Sequence, residues 1–286
     1  MKYLVVLLLS AAVLIGADLV NPGGVYIPGR ASLAVMDSFT PSLSGASNYV
    51  VGLGYDGNGG EFWVSDNQNK GGLGMNLIHV FAGVSPYTLQ ATFNQNSTSG
   101  WGILDMAYCS GIMYVTDMNN NVVNYYNTTT QAKIGSFNAN STGSYALATD
   151  GANTFYTGDF NTAGNVYSAL WDGVSGSSPS WSVFTTSPIP ETGILGAAYD
   201  DSWPCLWVTI SSSTGTIYQI AMDGSQIAVY DQTAQGTGPA GADMAPLATD
   251  DGYLWVVMQA EPDVVYCYDT DVSLDNATWG TIKTMF

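Results

Sequence analysis

Five times along this chain a small-residue strand leads through a turn, opened by aspartate in four of the copies, into an aromatic strand rich in Val, Ser or Thr. No other feature restricts the fold as much. The first copy runs Gly52-Leu53-Gly54-Tyr55-Asp56, then Phe62-Trp63-Val64-Ser65-Asp66. The second is Leu104-Asp105-Met106-Ala107-Tyr108, then Met113-Tyr114-Val115-Thr116-Asp117. Ala146-Leu147-Ala148-Thr149-Asp150 leads into Phe155-Tyr156-Thr157-Gly158-Asp159, and Gly196-Ala197-Ala198-Tyr199-Asp200 into Leu206-Trp207-Val208-Thr209. Pro246-Leu247-Ala248-Thr249-Asp250 precedes Leu254-Trp255-Val256-Val257. A spacing of roughly 40–50 residues between strand-and-turn units is the mark of propeller blades.

Each copy continues in the same way. Third strands are predicted at Leu77–Phe81, Val122–Tyr126, Asn165–Leu170, Thr216–Ala221 and Val264–Tyr268. Fourth strands follow at Leu89–Phe93, Ala132–Phe137, Trp181–Thr185, Gln226–Tyr230 and Thr281–Phe286. Alternating apolar and polar residues, with turns such as Asp223-Gly224, are strand and hairpin signals. Four strands per copy make one blade. The pattern therefore predicts an all-β propeller of five four-stranded blades, or six if the N-terminal segment forms a partial blade. Alternate residues of a strand point to opposite faces. In the first strands the small series (Gly52, Gly54, Ala107, Ala146, Ala148, Gly196, Ala198, Ala248) is expected at a crowded axis. The larger series is expected between blades.

Met113-Tyr114-Val115-Thr116-Asp117, with Asn121-Val122-Val123 and Thr128-Thr129-Thr130 after it, resembles the repeat of YVTN- and NHL-type β-propellers. The likeness covers the chain from about Tyr49 onward at the level of architecture and is close to the motif only in this copy. Asp117 stands where the motif has Asn. The resemblance implies a secreted or surface propeller used for binding or scaffolding, and it transfers no catalytic residue.

Before the repeats, Met1-Lys2, an apolar run from Tyr3 to Ile15 and Gly16-Ala17 have the order of a secretory signal peptide. Residues 1–17 are expected to be removed, leaving 18–48 as an N-terminal extension and 49–286 as the propeller. Two possible strands lie in the extension, Gly24–Ile27 and Leu33–Phe39, among Pro22, Pro28 and Pro41. They pack on their own propeller, begin a partial blade, or pair with a neighbouring molecule. Four sequons, at Asn96, Asn127, Asn140 and Asn276, are candidates for glycosylation.

Charge excludes several partners. The chain carries 5 Lys and Arg against 23 Asp and Glu, a formal net charge of −18. Beyond Lys2 the cations are Arg30, Lys70, Lys133 and Lys283, too scattered for a basic patch, so nucleic acid and anionic membranes are not expected partners. Cys109, Cys205 and Cys267 fall in three different copies and form no C-x-x-C pair. They read as buried small hydrophobes or as one disulfide with a leftover thiol.

Reactive groups are few. His79 is the one histidine, flanked by Ile78 and Val80, and supports neither a hydroxyl–imidazole–carboxylate triad nor a His-rich zinc site. Asp56, Asp150, Asp200 and Asp250 begin turns, where Asp satisfies backbone donors. Asp105 is the acidic exception in the axial series. With Asp66, Asp117 and Asp159, which end second strands, it is the candidate for a weak Ca²⁺ site, and no other cofactor is expected. Asp269, Asp271, Ser273 and Asp275 imitate half a calcium loop but meet Leu274 and Gly280 where Gly and Glu belong. Trp101, Trp171, Trp181, Trp203 and Trp279 lie outside the repeated aromatic positions and are candidates for stacking on sugars. The sequence thus points to a secreted, non-enzymatic structural or protein-interaction module, self-assembling through its N-terminal segment. A glycan-binding propeller and a calcium-dependent hydrolase are the alternatives.

Overall fold

The computed structural model describes residues 32–41, 49–68, 74–96, 100–140, 143–161, 164–173, 177–185, 189–211, 215–236, 238–247, 250–260 and 262–270. All regular elements among them are strands, gathered into five four-stranded antiparallel sheets. The molecule is a five-bladed β-propeller.

Blade 1 holds β2 (Val50–Asp56), β3 (Glu61–Asp66), β4 (Leu77–Ala82) and β5 (Leu89–Asn94), in that order from axis to rim. Blade 2 holds β6 (Ile103–Cys109), β7 (Ile112–Asp117), β8 (Val122–Asn127) and β9 (Lys133–Asn138). Blade 3 is the shortest: β10 (Ala148–Thr149), β11 (Thr154–Gly158), β12 (Val166–Leu170) and β13 (Ser182–Val183). Blade 4 comprises β14 (Ile194–Asp200), β15 (Cys205–Ser211), β16 (Gly215–Ala221) and β17 (Gln226–Asp231). The strands predicted for these four blades fall on these elements, with ends shifted by a residue or two apart from the short β10 and β13.

Blade 5 departs from the expected pattern twice. Its inner strand is β18 (Pro239–Leu247), so the residues nearest the axis are Ala240-Gly241-Ala242, and Asp250 opens the next strand, β19 (Asp250–Met258). Its outermost strand is also not Thr281–Phe286, which lies outside the described residues. β1 (Val35–Phe39) fills that place, antiparallel to β20 (Val264–Asp269), with Phe39 opposite Val265. The chain's beginning therefore closes the ring rather than starting a sixth blade. Phe39 then reaches across the seam, 4.8 Å from Tyr87 and 5.5 Å from Phe62 between ring centroids. Tyr87 adds a hydroxyl hydrogen bond to Asp37 Oδ2.

The repeated aromatic strand is the second strand of each blade, and its alternation builds the seams. Phe62 and Val64 face blade 5, sharing a core with Trp255 and Val257, while Trp63 turns the other way to meet Ile103, Met106 and Met113 of blade 2. Tyr114, Tyr156, Trp207 and Trp255 repeat the role of Trp63, each entering the core shared with the following blade. Trp63, Trp207 and Trp255 are fully buried. A large ring at these positions buries enough apolar surface to stabilise each seam.

The small residues of the inner strands mark the closest approaches. A Cβ at Gly52 would meet Leu104 and Asp105 backbone, and one at Gly196 would collide with Ala240 and Ala242. Both therefore face the next blade where inner strands converge. Gly241 is enclosed by the backbone of blade 1, with Leu53 N, Val51 O and Gly52 Cα lying 2.5, 2.6 and 2.7 Å from where its Cβ would be. Gly241→Ala is expected to lower stability by about 1–3 kcal/mol in chemical denaturation, the usual cost of overpacking. Gly57→Ala, whose methyl would find Tyr108 at an ordinary 3.6 Å, is expected to leave it unchanged.

Candidate functional site

An inner strand pairs with its blade on one edge only. The other edge points at the axis, where its N–H and C=O groups have no strand to bond. In this chain carboxylates supply the missing partners. Asp105, on β6, is completely buried. Its Oδ2 accepts the N–H of Leu147 at 2.7 Å and of Ala197 at 2.8 Å, and its Oδ1 accepts that of Ala242 at 3.2 Å. One side chain of blade 2 thus holds the inner chain segments of blades 3, 4 and 5. Asp243 Oδ2 accepts the N–H of Tyr55 at 2.7 Å, and Asp263 Oδ2 that of Val50 at 2.9 Å, tying blade 5 to blade 1.

Burial pushes the Asp105 carboxyl well above the usual carboxylate range. The N–H groups of Leu147, Ala197 and Met106 pull the other way, and the nearby Asp243 adds to the rise. Asp243 is likewise pushed up by burial, to about 7, against the N–H groups of Tyr55 and Met244. The sequence marked Asp105 as an axial exception, but Asp243 and Asp263 were missed. Both belong to blade 5, whose inner strand lies upstream of its Asp250 turn.

The hydroxyls that end the repeated strands are staples between blades. Ser65 Oγ donates to Ile103 O at 3.0 Å and accepts from Gly52 N at 2.6 Å. Thr116 donates to Tyr145 O and Thr209 to Ala240 O, each in the next blade. In blade 3 the corresponding residue is Gly158, whose missing side chain makes room for Ile194. In blade 5 it is Val257, which joins the apolar seam with blade 1.

The remaining carboxylates named as calcium candidates are bonded within their own blades. Asp66 Oδ2 accepts from Gln68 Nε2 at 2.7 Å, Asp117 from Asn119 N and the Asn120 and Asn124 amides, and Asp159 from Asn161 N. Among the described residues no three His, Cys, Asp or Glu side chains gather as a metal would require. Asp56, Asp150 and Asp200 cap their turns: Asp150 Oδ1 accepts the N–H groups of Ala152, Asn153 and Thr154. Burial raises the Asp150 carboxyl, but hydrogen bonds from Thr154, Ala152 and Asn153 outweigh it and hold the group low. Of the imitation calcium loop, residues 271–280 lie outside the described residues.

His79 is buried between two partners, with Nδ1 2.9 Å from Thr92 Oγ1 and Nε2 3.3 Å from Asp66 Oδ2. The order of hydroxyl, imidazole and carboxylate, not foreseen from the residues alone, arises because residues 79 and 92 are paired neighbours on β4 and β5. The three cysteines are buried and unpaired with one another, and the Cys109 thiol donates to Gly151 O at 3.1 Å. Of the sequon residues, Asn96 is exposed, Asn140 is half-buried, and Asn127 accepts the N–H of Thr130 at 2.8 Å; Asn276 lies outside the described residues.

The tryptophans named for sugar stacking are dispersed. Trp101 packs on Tyr49, Trp181 Nε1 donates to Asn138 O at 3.3 Å, and Trp203 is 61% exposed in a turn; Trp279 lies outside the described residues. Trp171 is buried among Tyr114, Tyr125, Phe137 and Phe155. It also walls a cleft of about 660 Å³ at the outer end of blade 3, together with Asn153, Ser168, Leu170, Asp172 and Ser177.

Two measurements probe the hub. Asp105→Ala strands three buried N–H groups at about 1–3 kcal/mol each, so a loss of at least about 3 kcal/mol in denaturant unfolding is expected. The second concerns pH. The folded chain binds the Asp243 proton more tightly than an ordinary carboxyl at 3.8 does. Its contribution to stability is therefore full below about pH 4 and is lost as pH rises to about 7. The thermal midpoint is expected to fall by several degrees across that window, and Asp243→Asn to flatten the fall.

No protein-family model matches the chain, and no curated protein matches it in sequence. Solved structures do match it in shape. Glutaminyl cyclase of Myxococcus xanthus superposes with a TM-score of 0.61 at 12% identity, covering 85% of this chain and 100% of that one. Regucalcin of Agrobacterium tumefaciens strain C58, a calcium-binding protein, gives 0.54 at 12% identity over 83% and 94%. A nidogen/laminin complex gives 0.50 at 12% identity over 73% and 72%. An enzyme, a calcium-binding protein and a protein–protein complex are thus among the matches. At such identities the likeness establishes the propeller fold alone, the architecture implied by the YVTN and NHL resemblance.

Proposed function

We propose that this chain is a secreted, non-enzymatic β-propeller that works as a structural or protein-interaction module on or outside the cell. The observation that carries this reading is the hub. A reaction site needs a concave pocket in which free polar groups converge on a substrate. Here the axis is filled by inner strands in backbone-to-backbone contact, and both Asp105 oxygens are engaged by N–H groups of other blades. What the ring offers to partners is its outside, from a chain rich in hydroxyl and amide side chains, acidic overall and poor in cations.

Copies of the same chain are the proposed partners, joined through the segment before β1. Residues 35–39 are occupied in closing their own ring, so the assembling part is the stretch from Asp18 to the start of β1. Two results are expected for material recovered from the native source. Intact mass shows a chain beginning at Asp18. Light scattering and electron microscopy across a concentration series show association of the full mature chain, which a version starting at Ser32 lacks. Single rings at every concentration would remove self-assembly, and retention of residues 1–17 in a cell-internal fraction would remove secretion.

A further inference from the structure

Blade 3 differs from the other four in its outer half. Its outermost strand is β13, Ser182–Val183, whereas the outer strands elsewhere are five or six residues long. In blade 4 the last two strands are joined by residues 222–225, but in blade 3 the chain between β12 and β13 runs from 171 to 181. Trp171, Asp172, Ser177, Ser178, Pro179 and Ser180 of that stretch line the cleft of about 660 Å³. That volume is in the range of small-molecule sites.

The lining indicates the class of ligand. Ser168, Ser177 and Asn153 offer hydroxyls and an amide, Leu170 and Ala169 an apolar surface, and Asp172 one carboxylate, which already accepts from Ser177 Oγ at 2.9 Å. Trp171 lines it too, and its indole N–H is buried with no acceptor among the described residues. Among the described residues no cation lines the cleft, and the net charge of −18 opposes phosphate and sulfate groups. An apolar ligand would strand the hydroxyls. A neutral polyhydroxylated ring meets every demand, since its hydroxyls pair with Asp172, Asn153 and the serines while its C–H face lies on Leu170. Glycoside cleavage ordinarily uses two carboxyl groups about 5–9.5 Å apart, and Asp172 is the one acid among the described residues that line the cleft.

We infer that the blade 3 cleft is a binding site for a neutral saccharide, held without being cleaved. This goes beyond the interaction role above and stands whether or not the propeller self-associates. The test uses the mature chain's monomeric fraction on an array of neutral and anionic oligosaccharides, followed by calorimetry with the strongest neutral binder. Saturable binding is expected, with affinity at least 10-fold weaker in Asp172→Ala and Asn153→Ala proteins whose thermal midpoints are unchanged. The Trp171 indole N–H resonance is expected to shift during the titration. Three outcomes would overturn the assignment: no neutral glycan bound, anionic glycans preferred, or binding indifferent to both substitutions. Conversion of the bound glycan to shorter products would overturn the non-cleaving part.

Discussion

A propeller brings the unpaired edges of all its sheets to one line, and this chain's architecture depends on how those edges are satisfied. Wide rings can leave the line to water. Five blades leave no such room, since Gly241 already sits against the backbone of Val51, Gly52 and Leu53. The solution is a buried carboxylate, Asp105, which reaches from one blade to three others. Burying that group is costly unless hydrogen bonds compensate, and they come from the very N–H groups that would otherwise be orphaned. Two unfavourable burials thereby offset each other.

Outside the hub, a single strand in each blade does most of the joining. Its alternation sends Trp63, Tyr114, Tyr156, Trp207 or Trp255 into one seam and its neighbours into the other. Where that strand ends in Ser or Thr, a hydroxyl fixes the next blade's backbone. The recurring aromatic-Val-Ser/Thr pattern is thus a record of contacts between blades rather than of a shared chemistry. A repeat can be conspicuous while disclosing nothing about a substrate.

Much of this was legible in the residues, because blades are local objects: strand alternation, tight turns and Asp caps act over a few positions. The closures were not. In blade 5 the Ala-Thr-Asp250 motif imitates the turn that ends earlier inner strands, which drew the reading downstream of Ala240–Ala242. Thr281–Phe286 has the alternation of a fourth strand, yet that place belongs to β1, more than 220 positions earlier in the chain. Asp105 stood out as an acid among small residues. Its partners lie 42, 92 and 137 positions away, and a carboxylate facing unseen backbone donors looks, in a sequence, like one facing a metal. The blade 3 cleft was hidden for a related reason, since it exists through what β13 lacks.

The join between β1 and β20 also determines how this molecule would bear load. The two strands run antiparallel, and Val35 lies opposite Tyr268, so β1 begins and β20 ends at the same end of blade 5. Tension applied through the two ends would act on the rungs one after another, as on a zipper, rather than shearing them together. A ring tethered by both ends would open early at blade 5. Tethered by one end only, it would keep that blade latched and pass the strain to its surroundings.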